Sequence, residues 1–155
     1  MIRKAHEGDL PGVARIYDDI IEQEERGLAR IGWVRGVYPT EDTAREALEW
    51  GDLFVDEEDG GIVAAARINQ VQVPAYAQAH WASRADEREV MVLHTLVVSP
   101  FQSGKGIGSR FVKFYETYAL EQGCHYLRMD TNEKNQAARS LYAKLGYQER
   151  GIIPC

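Results

Sequence analysis

The sequence has few cysteines, no long apolar run and no surplus of basic charge, and each shortage excludes a class of protein. Its 155 residues hold 2 cysteines, Cys124 and Cys155, 31 positions apart. That spacing gives neither a disulfide framework nor a metal-ligand pattern, so no metal cofactor is expected. Cys124, beside the start of a strand, reads as a small buried apolar residue. The most apolar stretch, Val90 to Val98, is interrupted by His94 and Thr95. It falls well short of the roughly 20 residues that span a bilayer, so neither a transmembrane helix nor a membrane partner is expected. Met1 to Glu7 has basic residues with no apolar run behind them, which predicts no secretory signal and a cytoplasmic address. The formal net charge of −6 argues against a nucleic-acid partner. No internal repeat or low-complexity stretch is present.

What remains is a composition in the globular range, 45% hydrophobic and 27% charged, and a length that suits a single domain over residues 1–155. The charge is uneven. Residues 1–60 carry 16 Asp and Glu against 7 Lys and Arg, and residues 61–155 carry 8 against 11. The later part can receive an anion. The acidic early part suits a cationic substrate, although solvated helix faces account for most surface carboxylates.

Local patterns place the elements. Asp9 and Pro11 open a helix over about Leu10 to Arg26, where Leu10, Val13, Ile16, Tyr17, Ile20 and Ile21 recur with helical period. Residues 27–39 read as a loop, and Thr40 caps a second helix, about Glu41 to Trp50. Leu53 to Asp56, the Asp59-Gly60-Gly61 turn and Ile62 to Ile68 form a hairpin. Asn69 to Glu89 is a long connection containing Pro74, Tyr76 and Trp81, and connections of this length are often functional. Then follow a strand Val90 to Val98, a helix of about Ile107 to Gln122 ended by Gly123, a short strand Tyr126 to Met129, a helix of about Gln136 to Leu145 capped by Asn135, and an extended piece from Tyr147. The order α-α-β-β-β-α-β-α-β predicts an α/β (α+β) fold: a mixed, mostly antiparallel twisted sheet flanked by about four helices, with one strand-helix-strand unit giving a parallel pair.

Gly104-Lys105-Gly106-Ile107-Gly108-Ser109 lies between the strongest strand and a helix. There, free backbone N–H groups and the positive end of the helix dipole converge on one point. Alternate glycines let the backbone approach an anion closely, and Lys105 adds a point charge. The dinucleotide fingerprint needs a glycine where Ser109 stands, and the P-loop pattern is missing, so nucleotide readings weaken.

Two segments resemble the GNAT acetyltransferase superfamily. Leu93 to Pro100 followed by Gly104-Lys105-Gly106-Ile107-Gly108 is similar to its acetyl-CoA signature, [QR]-x-x-G-x-[GA] after a buried strand. Asn135 to Tyr147 is similar to its second motif, N-x-x-A-x-x-L-Y-x-K-x-G-[FY]. The resemblance implies a GNAT-like fold and acetyl-CoA as cosubstrate. It also implies that Ser103, Gly104, Lys105, Gly106, Ile107, Gly108 and Ser109 cradle the pyrophosphate, and that the backbone of Leu96, Val97 and Val98 pairs with the pantetheine arm like an added strand. Asn135 reaches the cofactor as well as capping its helix. Tyr142 aligns with the tyrosine that meets the thioester sulfur and can protonate the departing thiolate. Three departures stand out. Ser103 occupies the place of the usual Gln or Arg, with Gln102 one position early. Val92 occupies the place of the histone branch's general-base Glu. The family adds a further strand beyond the one Tyr147 begins, whereas the sequence reaches only Cys155.

Direct transfer from a thioester to an amine needs a neutral amine, a stabilised oxyanion and a leaving thiolate, but no protein nucleophile. His94 precedes Leu96 by two residues, which by strand alternation puts both on one face, and an imidazole near pKa 6.5 suits a base at neutrality. A satisfied core histidine is the competing reading. The resemblance adds that the arylalkylamine branch has a histidine matching His94. Tyr142 has its own competing reading as a core aromatic beside Ala138, Leu141 and Leu145. Trp81 and Tyr76 either line an acceptor pocket or pin their loop. The expected function is an N-acetyltransferase that takes a primary amine of a small-molecule or amino-acid-like acceptor. A non-catalytic acyl-CoA-sensing domain of the same fold is the alternative. A homodimer is compatible with the sequence, which does not itself specify an oligomeric state.

Overall fold

The computed structural model describes residues 1–72, 87–102, 104–131 and 134–149. The expectations for Pro74, Tyr76, Trp81, Ser103 and Cys155 lie outside the described residues. In chain order the elements are β1 (Ile2–Lys4), α1 (Leu10–Glu25), α2 (Glu41–Glu49), β2 (Leu53–Glu58), β3 (Gly61–Asn69), β4 (Val90–Val98), α3 (Ile107–Glu121), β5 (Tyr126–Met129) and α4 (Gln136–Lys144). The sheet runs β1-β2-β3-β4-β5. All neighbouring pairs are antiparallel except β4 and β5, which are parallel and joined through α3. The expected mixed sheet is present.

The chain opens on a strand, not on a helix as expected. Three residues carry too little pattern to be read, and β1 exists because Ile2, Arg3 and Lys4 find Asp56, Val55 and Phe54 across the ladder. Asp9 does not cap α1 in the expected way. Its carboxylate turns back to accept the His6 N–H at 2.9 Å and both Arg3 nitrogens at 2.8 and 3.0 Å. A buried charge is stable when paired and hydrogen-bonded in this way. From Tyr147 the expected strand does not form over residues 147–149; the Tyr147 hydroxyl instead donates to Glu116 Oε2 at 2.7 Å.

The sheet separates two apolar clusters. Phe54, Ala66, Ile68, Met91 and Leu93 pack against Ile107, Phe111, Tyr115 and Ala119 of α3, with Cys124 fully enclosed among them. On the opposite face Val55, Ala65 and Val97 pack against Leu10, Val13, Ile16 and Tyr17 of α1 and Ala44 and Ala47 of α2.

A bulge in β4 governs which face each of its residues serves. Arg67 pairs with His94 and Ala65 with Val97, so two β4 residues, Thr95 and Leu96, stand opposite the single Ala66. Thr95 absorbs the extra residue at φ 50°. One inserted residue reverses the alternation of side chains. Met91 and Leu93 belong to the α3 cluster, and after the bulge Leu96 and Val98 pack on that same cluster while Val97 faces α1. His94 therefore lies on the opposite face from Leu96, contrary to the expectation from strict alternation.

Candidate active site

β4 and β5 pair only from Val90↔Tyr126 to Leu93↔Met129. Beyond that point β4 continues through the bulge to Val98 while β5 ends, so among the described residues Leu96 to Val98 have a ladder partner only on the β3 side. The two parallel strands thus fork at their carboxyl ends. Ligands of α/β sheets tend to bind at such an end.

The glycine loop closes one end of this fork. Gly106 is the N-cap of α3 at φ 71°, and no side chain caps the helix. The first intrahelical bond runs from Arg110 N to Gly106 O at 3.0 Å, which leaves the N–H groups of Ile107, Gly108 and Ser109 outward. A Cβ on Gly104 or Gly106 would meet nothing within 4 Å, so the space over this turn is open. Lys105 Nζ donates to Gln102 Oε1 at 2.8 Å at the rim. Gly108 is different: a Cβ there would stand 3.1 Å from Leu141 Cδ2 and 3.9 Å from Val98 Cγ2. The first turn of α3, the end of β4 and the middle of α4 meet at this glycine. The open turn and its free amides suit a pyrophosphate, so the residues present fit the cosubstrate that the sequence implied.

α4 brings Asn135 and Tyr142 to the same side. Asn135 Oδ1 accepts the Ala138 N–H at 3.1 Å, the expected cap. Tyr142, one residue after Leu141, is partly buried against the α3 cluster, its ring 6.5 Å from that of Tyr147. Burial, and then the negative charge of Asp130, push its hydroxyl above the ordinary tyrosine value. It stays protonated near neutrality and can donate.

His94 sits across the sheet in a polar network. Its Nε2 is 2.9 Å from Asn69 Oδ1, Asn69 Nδ2 donates to Asp52 Oδ2 at 2.9 Å, and Arg67 Nε donates to the same oxygen at 3.2 Å. Burial holds the imidazole below its ordinary value. Arg67 adds to this, while Asp130, the Val71 carbonyl and Asp52 pull the other way. Asp130, which follows β5, is close enough to act on both His94 and Tyr142. Beside them the Tyr38 hydroxyl hydrogen-bonds Thr95 Oγ1, and Tyr38 meets Trp33 edge-on with ring centroids 6.1 Å apart.

The structure sets Gly108 of the glycine turn against Val98 of β4 and against Leu141, the neighbour of Tyr142 on α4, whose cap is Asn135, while His94 lies on the other face of the sheet. Sequence reasoning missed Asn69, Asp52, Asp130 and Tyr38. Asp130 had a readable signal, its position just past the carboxyl end of a strand in a parallel pair. The other three had none, because their partners lie far away in sequence. An open groove of about 590 Å³, lined by His6, Arg15, Glu57, Ser99, Phe101 and Gln102 among others, adjoins the glycine turn at Gln102, the acceptor of the Lys105 ammonium.

Comparison with known proteins agrees with this geometry. The sequence profile described as the acetyltransferase (GNAT) family matches residues 14–147. An uncharacterized N-acetyltransferase of Methanocaldococcus jannaschii is 27% identical over 79% of this chain, and the chain spans about half, 53%, of that relative. The thialysine N-epsilon-acetyltransferase of Bos taurus is 27% identical over 96% of this chain and 84% of its own length. Among solved structures, an acetyltransferase of the GNAT family from Streptococcus agalactiae superimposes with a TM-score of 0.75 at 20% identity, covering 100% of this chain and 88% of that one.

Proposed function

We propose, for a chain that belongs to the acetyltransferase (GNAT) family, that it moves an acetyl group from acetyl-CoA directly to a primary amine of a small-molecule or amino-acid-like acceptor. The observation that carries this reading is the fork between β4 and β5, closed by the open glycine turn of α3 and flanked by Tyr142 and His94. Acetyl-CoA supplies the activated acyl group. The amides of Ile107, Gly108 and Ser109, with Gly104, Lys105 and Gly106, hold its pyrophosphate, and Leu96, Val97 and Val98 offer the free strand edge to its pantetheine arm. We assign the same role to Ser103, which precedes Gly104 in sequence, and to Asn135, at the start of α4.

His94, held neutral by burial, takes one proton from the acceptor ammonium and leaves the amine lone pair free. The amine forms a C–N bond at the thioester carbonyl while a backbone N–H of the Leu96 to Val98 stretch polarises that oxygen. The C–S bond then breaks. Tyr142 gives its proton to the departing thiolate and regains one as the new amide nitrogen loses its own, so the net products are the acetylated amine, CoA thiol and one proton.

The relative named for thialysine and the carboxylates near His94 support an acceptor that carries an ammonium group. A panel of amines and amino acids incubated with acetyl-CoA, scored by product mass and thiol release, tests this. Acetylation of a panel member is expected. Tight CoA binding with no thiol release across the panel would favour the sensing domain instead.

A further inference from the structure

The polar chain behind His94 has a definite direction. Asp52 precedes β2, Asn69 ends β3 and His94 lies on β4, so the ladder itself fixes their spacing: Ile68 N–H bonds Asp52 O at 2.9 Å, and Arg67 pairs with His94. Asp52 can only accept, so the Asn69 group 2.9 Å from its Oδ2 is the amide nitrogen. The Val71 N–H can only donate, and it lies 3.0 Å from Asn69 Oδ1. Both neighbours impose the same orientation. A flipped amide would put oxygen against carboxylate and N–H against N–H. The oxygen therefore faces the imidazole, so Nε2, the ring nitrogen 2.9 Å from it, carries the hydrogen of that bond, and the Val71 carbonyl, which can only accept, is the competing acceptor beside the ring.

We propose that Asn69 and Asp52 are positioning residues that hold His94 as its Nε2–H tautomer and present Nδ1 as the basic nitrogen. This rests on the reading of His94 as the base. The proton taken from the acceptor then enters on Nδ1 while the Nε2–H bond to Asn69 persists, so no rotation of the ring accompanies the transfer. The charged and titratable groups around the ring are Asp52 and Arg67 on its own side, Asp130 beyond β5, Glu46 of α2 at 3.8 Å from Arg67 and Tyr17 of α1 near Arg67. Asp52 thus acts on the imidazole in two ways, through Asn69 and by its charge.

Nitrogen-15 NMR of the histidine-labelled protein reads the tautomer with no acceptor present. Hydrogen on Nε2 is expected in the neutral ring of the wild type, and a neutral ring protonated on Nδ1 overturns the proposal. Asn69→Leu, checked for folding by circular dichroism, should mix the tautomers. It should lower kcat for the panel amine that turns over by roughly 10- to 100-fold, with KM for acetyl-CoA unchanged. The exchange Asn69→Asp with Asp52→Asn keeps an acceptor for Nε2–H and a donor to position 69 behind it, and should restore most of the rate. The carboxylate now at position 69 favours the imidazolium, so the acidic limb of the rate profile should move to higher pH, and that shift should vanish in a His94→Gln background. An Asn69→Leu protein with a single Nε2–H tautomer and wild-type kcat overturns the positioning role. An acidic limb unchanged by His94→Gln alone overturns the reading of His94 as the base, a separate result from the tautomer.

Discussion

Gly106 is the residue where stability and ligand binding can be separated most cleanly. Its φ of 71° lies in the left-handed region, where a side chain costs roughly 1–2 kcal/mol. A Cβ there would touch no atom within 4 Å, so strain is the whole structural penalty of Gly106→Ala. For a domain of this size, about 1–2 kcal/mol lowers Tm by roughly 2–8 °C, and the protein should stay folded. Binding is affected differently, because the same open space is the proposed place of the pyrophosphate over the first amides of α3. CoA affinity in the micromolar range corresponds to about 8 kcal/mol, and much of it depends on that placement. Gly106→Ala should weaken CoA severalfold. Gly106→Glu should abolish binding, because its chain fills the turn and its carboxylate repels phosphate and competes for the same N–H groups. Scanning calorimetry gives Tm, and titration calorimetry with CoA gives affinity on the same samples. A folded Gly106→Glu protein that binds CoA with wild-type affinity refutes the placement of the pyrophosphate on this turn.

Tyr142→Phe should lower kcat by ~10²-fold or somewhat less, the low end of general acid help because a thiol already leaves well, with acetyl-CoA affinity nearly intact. Since the hydroxyl is pushed above its usual value, the deficit should persist across neutral pH and shrink only above about pH 10; wild-type chemistry in single-turnover measurements would return Tyr142 to a packing role. Tyr115 donates from one buried hydroxyl to Met91 O at 2.6 Å and Arg128 O at 2.9 Å, tying β4 to β5 below the fork. Tyr115→Phe should cost about 1–3 kcal/mol in chemical denaturation, and an unchanged midpoint would show that the two carbonyls do not need it. Asp9 is held below the usual carboxylate range, first by its hydrogen bonds from Arg3. Its contribution is therefore fully present above the unfolded value of about 3.9 and is lost as pH falls through the lower folded value. Asp9→Asn should lower Tm at pH 7 and flatten the acid decline of Tm; parallel Tm profiles for the two proteins would contradict this.

The parts of the fold that were legible are those whose signal is local. The glycines around Lys105, the β-branched run of β4 and the helical period of α1 each lie within one element, and the sheet order follows from connecting them. β1 could not be read because Ile2 to Lys4 become a strand only by pairing with residues fifty or more positions away. The bulge was hidden for a related reason. Thr95 is β-branched and would ordinarily extend a strand, yet it sits at φ 50° because Arg67 and Ala65 set the register around it. That single residue reversed the face assigned to His94. The Asn69 network spans 17 residues to Asp52 and 25 to His94, so no window of sequence contains it.

The inserted residue in β4 also bears on how such a protein can change over generations. Before the bulge, one strand sends His94 toward α1, α2 and the loop carrying Trp33 and Tyr38; after it, Leu96 and Val98 turn toward α3 and α4. Because the two apolar clusters share the sheet but no side chain among the described residues, substitutions around Tyr38 can alter what reaches His94 without disturbing the packing of Gly108 against Val98 and Leu141. Under the proposed function, the face that takes the acceptor is then free to diversify while the face that takes the thioester is inherited unchanged.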